Sequence, residues 1–218
     1  MLTKRPKQTG VSLIEVLVAI TISIILASGV LGAFSTSLFG SQQTLQKGRL
    51  NRDMQAIMDI MVTDIQRAGY TSTATSSKTD PFMQGNYDLQ VSGSCIILAY
   101  DLNNNGTVED TDVIGYVLHN GEIERRQTGV GKTTSCASAA TDSWDPVSDP
   151  SYITITAFTI TKPVISNIAT DIDGASAGTD TITNRTVSIT LTGQLANSAS
   201  VTKTITRTIK VYNNKYSP

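Results

Sequence analysis

The chain holds 218 residues, 39% of them hydrophobic, with 17 basic and 18 acidic side chains for a net charge of −1. That length admits one domain of ordinary size beside an anchoring segment. The balanced charge provides no basic field of the kind that recognition of a nucleic acid as primary ligand requires.

The N-terminus reads MLTKRPKQTG and then VSLIEVLVAI, with Lys4, Arg5 and Lys7 ahead of Gly10 and an apolar run after it. From Val16 through Gln46 no side chain is charged. A helix needs about 20 apolar residues to cross a hydrocarbon core of about 30 Å, so this run is long enough to span. The preceding basic residues orient the N-terminus to the cytoplasm and the rest of the chain to the far side. Glu15 interrupts the leading end of the run. A charge within such a segment costs on the order of 3 kcal/mol, less at the edge where it reaches the interface. A cleaved secretory signal would use Ala27-Ser28-Gly29 as a weak cleavage site, but an acidic residue heading its apolar run is atypical. A plain anchor leaves Gly10 and Glu15 without a purpose.

Past the apolar run, Leu50, Met54, Ile57, Met58, Met61 and Ile65 recur at spacings of three and four and predict one buried helical stripe. Arg49 with Asp53, and Asp64 with Arg67, fall at i,i+4 and i,i+3 on the wetter side. Gly69 suits the position just past the helix end, which is expected near Ala68. Residues 71–80 are Ser/Thr-rich and aperiodic, hence a loop. Cys95–Tyr100 predicts a short buried strand. Val113–His119 and Glu122–Gln127 flank Asn120-Gly121, a hairpin signal. Residues 153–161, 187–195 and 201–212 alternate apolar residues with threonine and predict further strands of one mostly antiparallel sheet, with Ser166–Asp180 as a loop. The fold class is α+β.

Two cysteines, Cys95 and Cys136, lie beyond the apolar run. In an oxidising compartment they would close a loop of about 40 residues with one disulfide, contributing about 3–4 kcal/mol by chain-entropy reasoning. Two buried free thiols are the alternative. Residues 101–112 follow calcium-loop spacing. Asp101, Asn103, Asn105, Glu109 and Asp112 supply side-chain oxygens, Thr107 a backbone carbonyl, and Gly106 the sharp turn. Asp112 is shorter than the usual bidentate glutamate, so any calcium would bind weakly. An ordinary Asn/Gly turn explains the same residues without metal. No cofactor is required.

Enzymatic patterns are weak. Residues 128–134 resemble a phosphate loop, but Arg126 stands where its first glycine is needed. The single histidine, His119, closes a strand beside the hairpin turn and reads as a surface residue.

The stretch Gln8-Thr9-Gly10-Val11-Ser12-Leu13-Ile14-Glu15-Val16-Leu17 resembles the N-terminal motif of type IV prepilins and pseudopilins. The resemblance implies that a prepilin peptidase cuts between Gly10 and Val11 and methylates the new N-terminus at Val11. It implies that Glu15 meets the cationic N-terminus of a neighbouring subunit during assembly, which makes a carboxylate in lipid tolerable. Val11 replaces the usual phenylalanine, and the helix-breaking proline of many major pilins is absent. Losing the first ten residues removes three positive and no negative charges, taking the net charge from −1 to −4.

The helix tail, Leu50-Asn51-Arg52-Asp53-Met54 through Asp64-Ile65-Gln66-Arg67-Ala68-Gly69-Tyr70, is similar to that of the minor pilins called PilW. So are the Tyr100-Asp101, Gly115-Tyr116, Arg125-Arg126, Trp144 and Asp149-Pro150 positions that follow. The expected organisation is a leader over residues 1–10 and a transmembrane or filament-core half-helix over 11–40. An amphipathic half-helix over 41–69 and a β-rich pilin domain over 70–218 follow. The resemblance implies a non-enzymatic minor pilin that helps initiate type IV pili near the tip. Implied partners are prepilin peptidase, other minor pilins, the major pilin, a large tip adhesin and the inner-membrane assembly platform. Its expected location is the inner membrane, with a periplasmic C-terminal domain, and then the pilus. The rivals are the large minor pseudopilin of a type II secretion system and a surface adhesin module.

Overall fold

The computed structural model describes residues 10–73, 80–126, 144–170 and 180–217. The chain divides between Lys47 and Gly48 into two units. One helix, α1 (Leu13–Arg67), runs 55 residues.

In the first unit α1 is apolar all round, and large side chains such as Ile14, Ile25 and Val30 are exposed. Each hydroxyl side chain from Leu13 through Thr36 is folded back. Thr21, Ser23, Ser28, Ser35 and Thr36 each donate a hydroxyl to a carbonyl three or four residues earlier, at 2.7–3.0 Å. A hydroxyl satisfied this way needs no water, which suits a helix long and apolar enough to cross a membrane.

In the second unit the predicted stripe holds: Leu50, Met54, Ile57, Met58, Met61 and Ile65 are all buried. The helix stops at Arg67, and Gly69 follows with φ +74°. Its last carbonyls are taken up by the far end of the chain. Tyr212 N donates to Gln66 O (3.0 Å), and Asn213 Nδ2 donates to Arg67 O and Ala68 O (3.2 and 3.3 Å).

Nine strands follow among the described residues: β1 (Gln90–Ser92), β2 (Cys95–Ala99), β3 (Val113–His119), β4 (Glu122–Arg126), β5 (Trp144–Pro146), β6 (Ile153–Thr170), β7 (Asp180–Leu195), β8 (Ser198–Lys210) and β9 (Lys215–Ser217). Asn120 and Gly121 join β3 to β4 with φ of 48° and 83°, both positive as a two-residue hairpin turn demands.

The expectation of one sheet is corrected to two. Strands β1 to β5 pair in sequence as one antiparallel sheet; β6, β7 and β8 form another, with β9 also on β7. The break falls at Asp149-Pro150. Tyr152 N and Ile153 N both donate to Asp149 O, and Ser151 N to Asp149 Oδ1. This tight turn ends the first ladder before β6 begins. Alternation along a strand reports which face is buried but not which neighbour it pairs with, so it could not show the division.

The loop expected over Ser166–Asp180 is corrected too. Residues 164–170 continue β6 and pair with 180–186 of β7. Residues 171–179 lie outside the described residues. A register shift between Thr161 and Val164 brackets Pro163, which lacks the N–H a regular ladder needs.

The main core sits between α1 and both sheets. It joins the helical stripe to Ile96, Leu98, Ile114 and Ile123 of the first sheet and to Phe158, Val187, Ile189 and Leu191 of the second. A smaller cluster on the other face of the first sheet holds Phe82, Cys95, Ile97, Ala99, Val113 and Val117. That is why β2 is buried along its whole length. Gly193 lets α1 approach β7: a Cβ there would lie 2.7 Å from Met54 Sδ.

Candidate functional site

The N-terminal site is a single acidic group on an apolar rod. Gly10 is exposed, with nothing within 4 Å of the position a Cβ would take, and Val11 is exposed beside it. The helix begins two residues later, and Ser12 O accepts from Glu15 N (3.0 Å) and Val16 N (3.2 Å). Glu15 therefore lies in the first turn, where the positive end of the helix dipole favours a carboxylate. This is a reason for its position that spacing in the sequence alone does not give. Val11, Glu15, Ala19 and Ser23 border one shallow apolar concavity on this stretch. Chemically the arrangement offers an accessible peptide bond next to glycine and one anion able to receive a cation.

The 101–112 loop is built around its own hydrogen bonds. Asp101, 2% exposed, accepts at Oδ2 from Ser72 N (3.0 Å), Ser72 Oγ (2.6 Å) and Gly106 N (2.9 Å), and at Oδ1 from Asn105 N (3.0 Å). Burial pushes its carboxyl up, but these donors outweigh it and hold the group below the usual carboxylate range. Asp112 is fully buried and accepts from Leu102 N and Glu109 N (3.0 and 2.8 Å). Glu109 accepts from the side-chain amides of Asn103 and Asn105, both at 2.9 Å. Thr107 N donates to Asn105 Oδ1 at 2.8 Å. The positions of the calcium pattern are thus brought into one loop, with their carboxylates already engaged by N–H groups. Among the described residues no three His, Cys, Asp or Glu side chains gather as a metal site.

Two comparisons with known proteins bear on the N-terminus and on the folded unit. Residues 5–31 match the prokaryotic N-terminal methylation motif, and residues 43–211 match the family of prepilin peptidase-dependent protein B. The chain belongs to that family. It is similar to prepilin peptidase-dependent protein B of Escherichia coli (strain K12), 26% identical over 168 residues that cover 75% of this chain and 82% of the relative. No solved structure matches. The methylation motif, the apolar helix and the antiparallel sheets together make this a type IV pilin-like protein, from a family of prepilin peptidase substrates rather than of enzymes.

The other predicted positions of this pilin-like chain fall as follows. Cys95 is disulfide-bonded; Cys136, its expected partner, lies outside the described residues, as does the phosphate-loop-like stretch 128–134. His119 is exposed, its Nδ1 3.2 Å from Glu124 Oε1 across the β3–β4 hairpin. Arg49 and Asp53 pair at 3.6 Å as expected, and the Arg49 guanidinium also stacks on Tyr152, 3.6 Å from the ring centre.

Asp64 needs correction. The sequence places it on the wetter side beside Arg67, yet it is 7% exposed. Tyr100 Oη donates to its Oδ1 (2.9 Å), Tyr116 Oη to its Oδ2 (2.5 Å), and Arg125 Nη2 approaches Oδ2 at 3.5 Å. Burial, reinforced by the Asp64 charge, lifts the Tyr100 hydroxyl to about 12 and raises that of Tyr116 also. Two tyrosines supplied by β3 and the end of β2 therefore make a buried carboxylate affordable and tie α1 to the first sheet. A signal was present: Asp64 lies three residues after Met61 and next to Ile65, inside the apolar stripe.

Proposed function

We propose that the chain is a minor pilin that prepilin peptidase cuts between Gly10 and Val11 and methylates at Val11. Residues 11–40 then hold it in the inner membrane with the domain after them in the periplasm, until it enters the base of a growing type IV pilus. It helps to initiate that filament together with the major pilin, other minor pilins, a large tip adhesin and the inner-membrane assembly platform, and it remains near the tip. Glu15 receives the methylated, cationic N-terminus of a neighbouring subunit.

The observation that carries this reading is the pairing of an exposed Gly10 with a helix whose apolar N-terminal stretch is uncovered on every side except for one carboxylate in its first turn. Such a helix has use for lipid first and for equivalent helices afterwards. The methylation motif over residues 5–31 supports the cleavage position.

Coexpression of the full chain with a prepilin peptidase tests the cleavage. Mass spectrometry should find a product that starts at N-methylated Val11; a product starting after Ala27 or Gly29, or no cleavage, overturns it. Deletion of the chain tests the assembly role. Surface pili should fall and return on complementation, and normal piliation without the chain overturns that role.

A further inference from the structure

The strand β8, SASVTKTITRTIK, pairs among the described residues with β7 alone. Its other side is a thirteen-residue sheet edge, and alternate backbone N–H and C=O groups along such an edge point away from the only partner. The two faces of β8 differ. On one, Thr204, Thr206 and Thr208 bond hydroxyl to hydroxyl with Thr192, Thr190 and Ser188 of β7 at 3.0, 3.0 and 3.3 Å. On the other stand Lys203, Ile205, Arg207 and Ile209. Ile209 is buried and Ile205 half-buried, while Lys203 and Arg207 are exposed. Neither cation has an ion-pair partner among the described residues. A groove of about 350 Å³ lies between this end of β8 and α1, lined by Asp59, Val62, Gln66, Arg207, Ile209 and Lys210.

We propose that the β8 edge docks an extended segment of a partner protein in which carboxylate and aliphatic side chains take turns at every second residue. Such a segment completes the ladder through its backbone. Laid antiparallel, it sets carboxylates opposite the exposed Lys203 and Arg207 and an aliphatic group opposite the half-buried Ile205, where cross-strand pairs interact directly. Charge decides against a second copy of this chain, since a second β8 would bring its own Lys203 and Arg207 to the same face, and like charges across a ladder repel. Lysine on an open edge guards against indiscriminate pairing. Here the same charges leave acidic strands as the segments that gain from pairing. The surface lies wholly within the Gly48–Pro218 unit, so the proposal stands independently of cleavage at Gly10.

The test is fluorescence anisotropy of a labelled, end-capped peptide, Thr-Val-Thr-Glu-Thr-Val-Thr-Glu-Thr, against the full chain in detergent micelles at low salt. It should bind. Lysine in place of each glutamate, or N-methylation of alternate peptide amides, should weaken binding about tenfold or more, by loss of two charge pairs or of the ladder. Lys203→Glu with Arg207→Glu should reverse the preference to the lysine peptide, with the circular dichroism of the chain unchanged. The proposal is overturned if the glutamate peptide does not bind, if the N-methylated peptide binds as tightly, or if the charge reversals leave the preference as it was.

Discussion

Before Lys47, α1 leaves Leu17, Ile25 and Phe34 at 55%, 69% and 60% exposure, whereas after Gly48 the same helix hides Met54, Met58, Met61 and Ile65 completely. Both stretches are regular helix. What differs is the distribution of apolar residues around the axis. The first stretch is apolar on every side, the pattern of a helix that lipid or other helices surround. The second confines them to one stripe, which two sheets cover. One helix is therefore written for two solvents, and the pattern of its side chains decides which solvent each stretch meets.

Glu15→Ala is the strongest way to probe the first stretch. Membrane insertion should persist, since removing a charge favours the bilayer, while incorporation into filaments should fail for want of a counter-charge. Counting the variant in sheared pili by immunoblot reads the effect. Incorporation at the wild-type level would show that the carboxylate serves only the helix dipole.

Matched truncations sharpen the contrast between the stretches. Met58→Ala should destabilise the folded unit by about 2–5 kcal/mol, the usual loss for deleting a buried side chain and leaving a cavity. Leu17→Ala should leave its unfolding midpoint unchanged. Denaturant unfolding of the full chain in micelles measures both. An equal loss from both would mean that the first stretch packs against protein as well.

The Asp64 cluster gives a pH-dependent difference that only the second stretch should show. Tyr100 ionises at about 12 in the folded chain against an ordinary value of 10. Below pH 10 both states hold the proton and the full stability is present. Between about pH 10 and 12 the unfolded chain releases the proton while the folded chain keeps it, so stability falls as pH rises. Tyr116 shifts in the same direction and adds to the fall. Unfolding midpoints across pH 9 to 12 should decline, and Tyr100→Phe should flatten that decline. A wild-type midpoint that is level over this window would contradict the buried Asp64–tyrosine network.

Calcium should have the smallest effect. With Asp101, Asp112 and Glu109 each engaged by N–H donors, adding millimolar calcium should not move the melting temperature. A rise that disappears in Asp101→Asn would mean that the cation displaces those bonds, and would support calcium at the loop.

How much of this was legible in the sequence depends on the range of the interaction concerned. The stripe from Leu50 to Ile65, the end of the helix near Gly69 and the Asn120-Gly121 hairpin are set within a few residues, and each appears where its spacing places it. The span of the membrane stretch and the motif around Gly10 and Glu15 are likewise local. The place of Asp64 inside the apolar stripe hinted at its burial, but its partners were not legible, because their hydroxyls come from 36 and 52 residues away. Nor was the fate of the 101–112 oxygens, since Ser72, which donates two of the four bonds to Asp101, comes from 29 residues away in the sequence.

By itself, then, the sequence determined the helix, its apolar and amphipathic stretches and the methylation motif at its head, because these follow from periodicity and short motifs along one stretch of chain. Only the tertiary structure decided that the strands separate into two sheets, that β8, carrying Lys203 and Arg207, pairs on one side only among the described residues, and that Asp64 is an inward anchor. Ladder pairing and the partners of a buried charge are settled between residues remote in sequence, and a one-dimensional pattern carries the face a residue takes but not the neighbour it meets there.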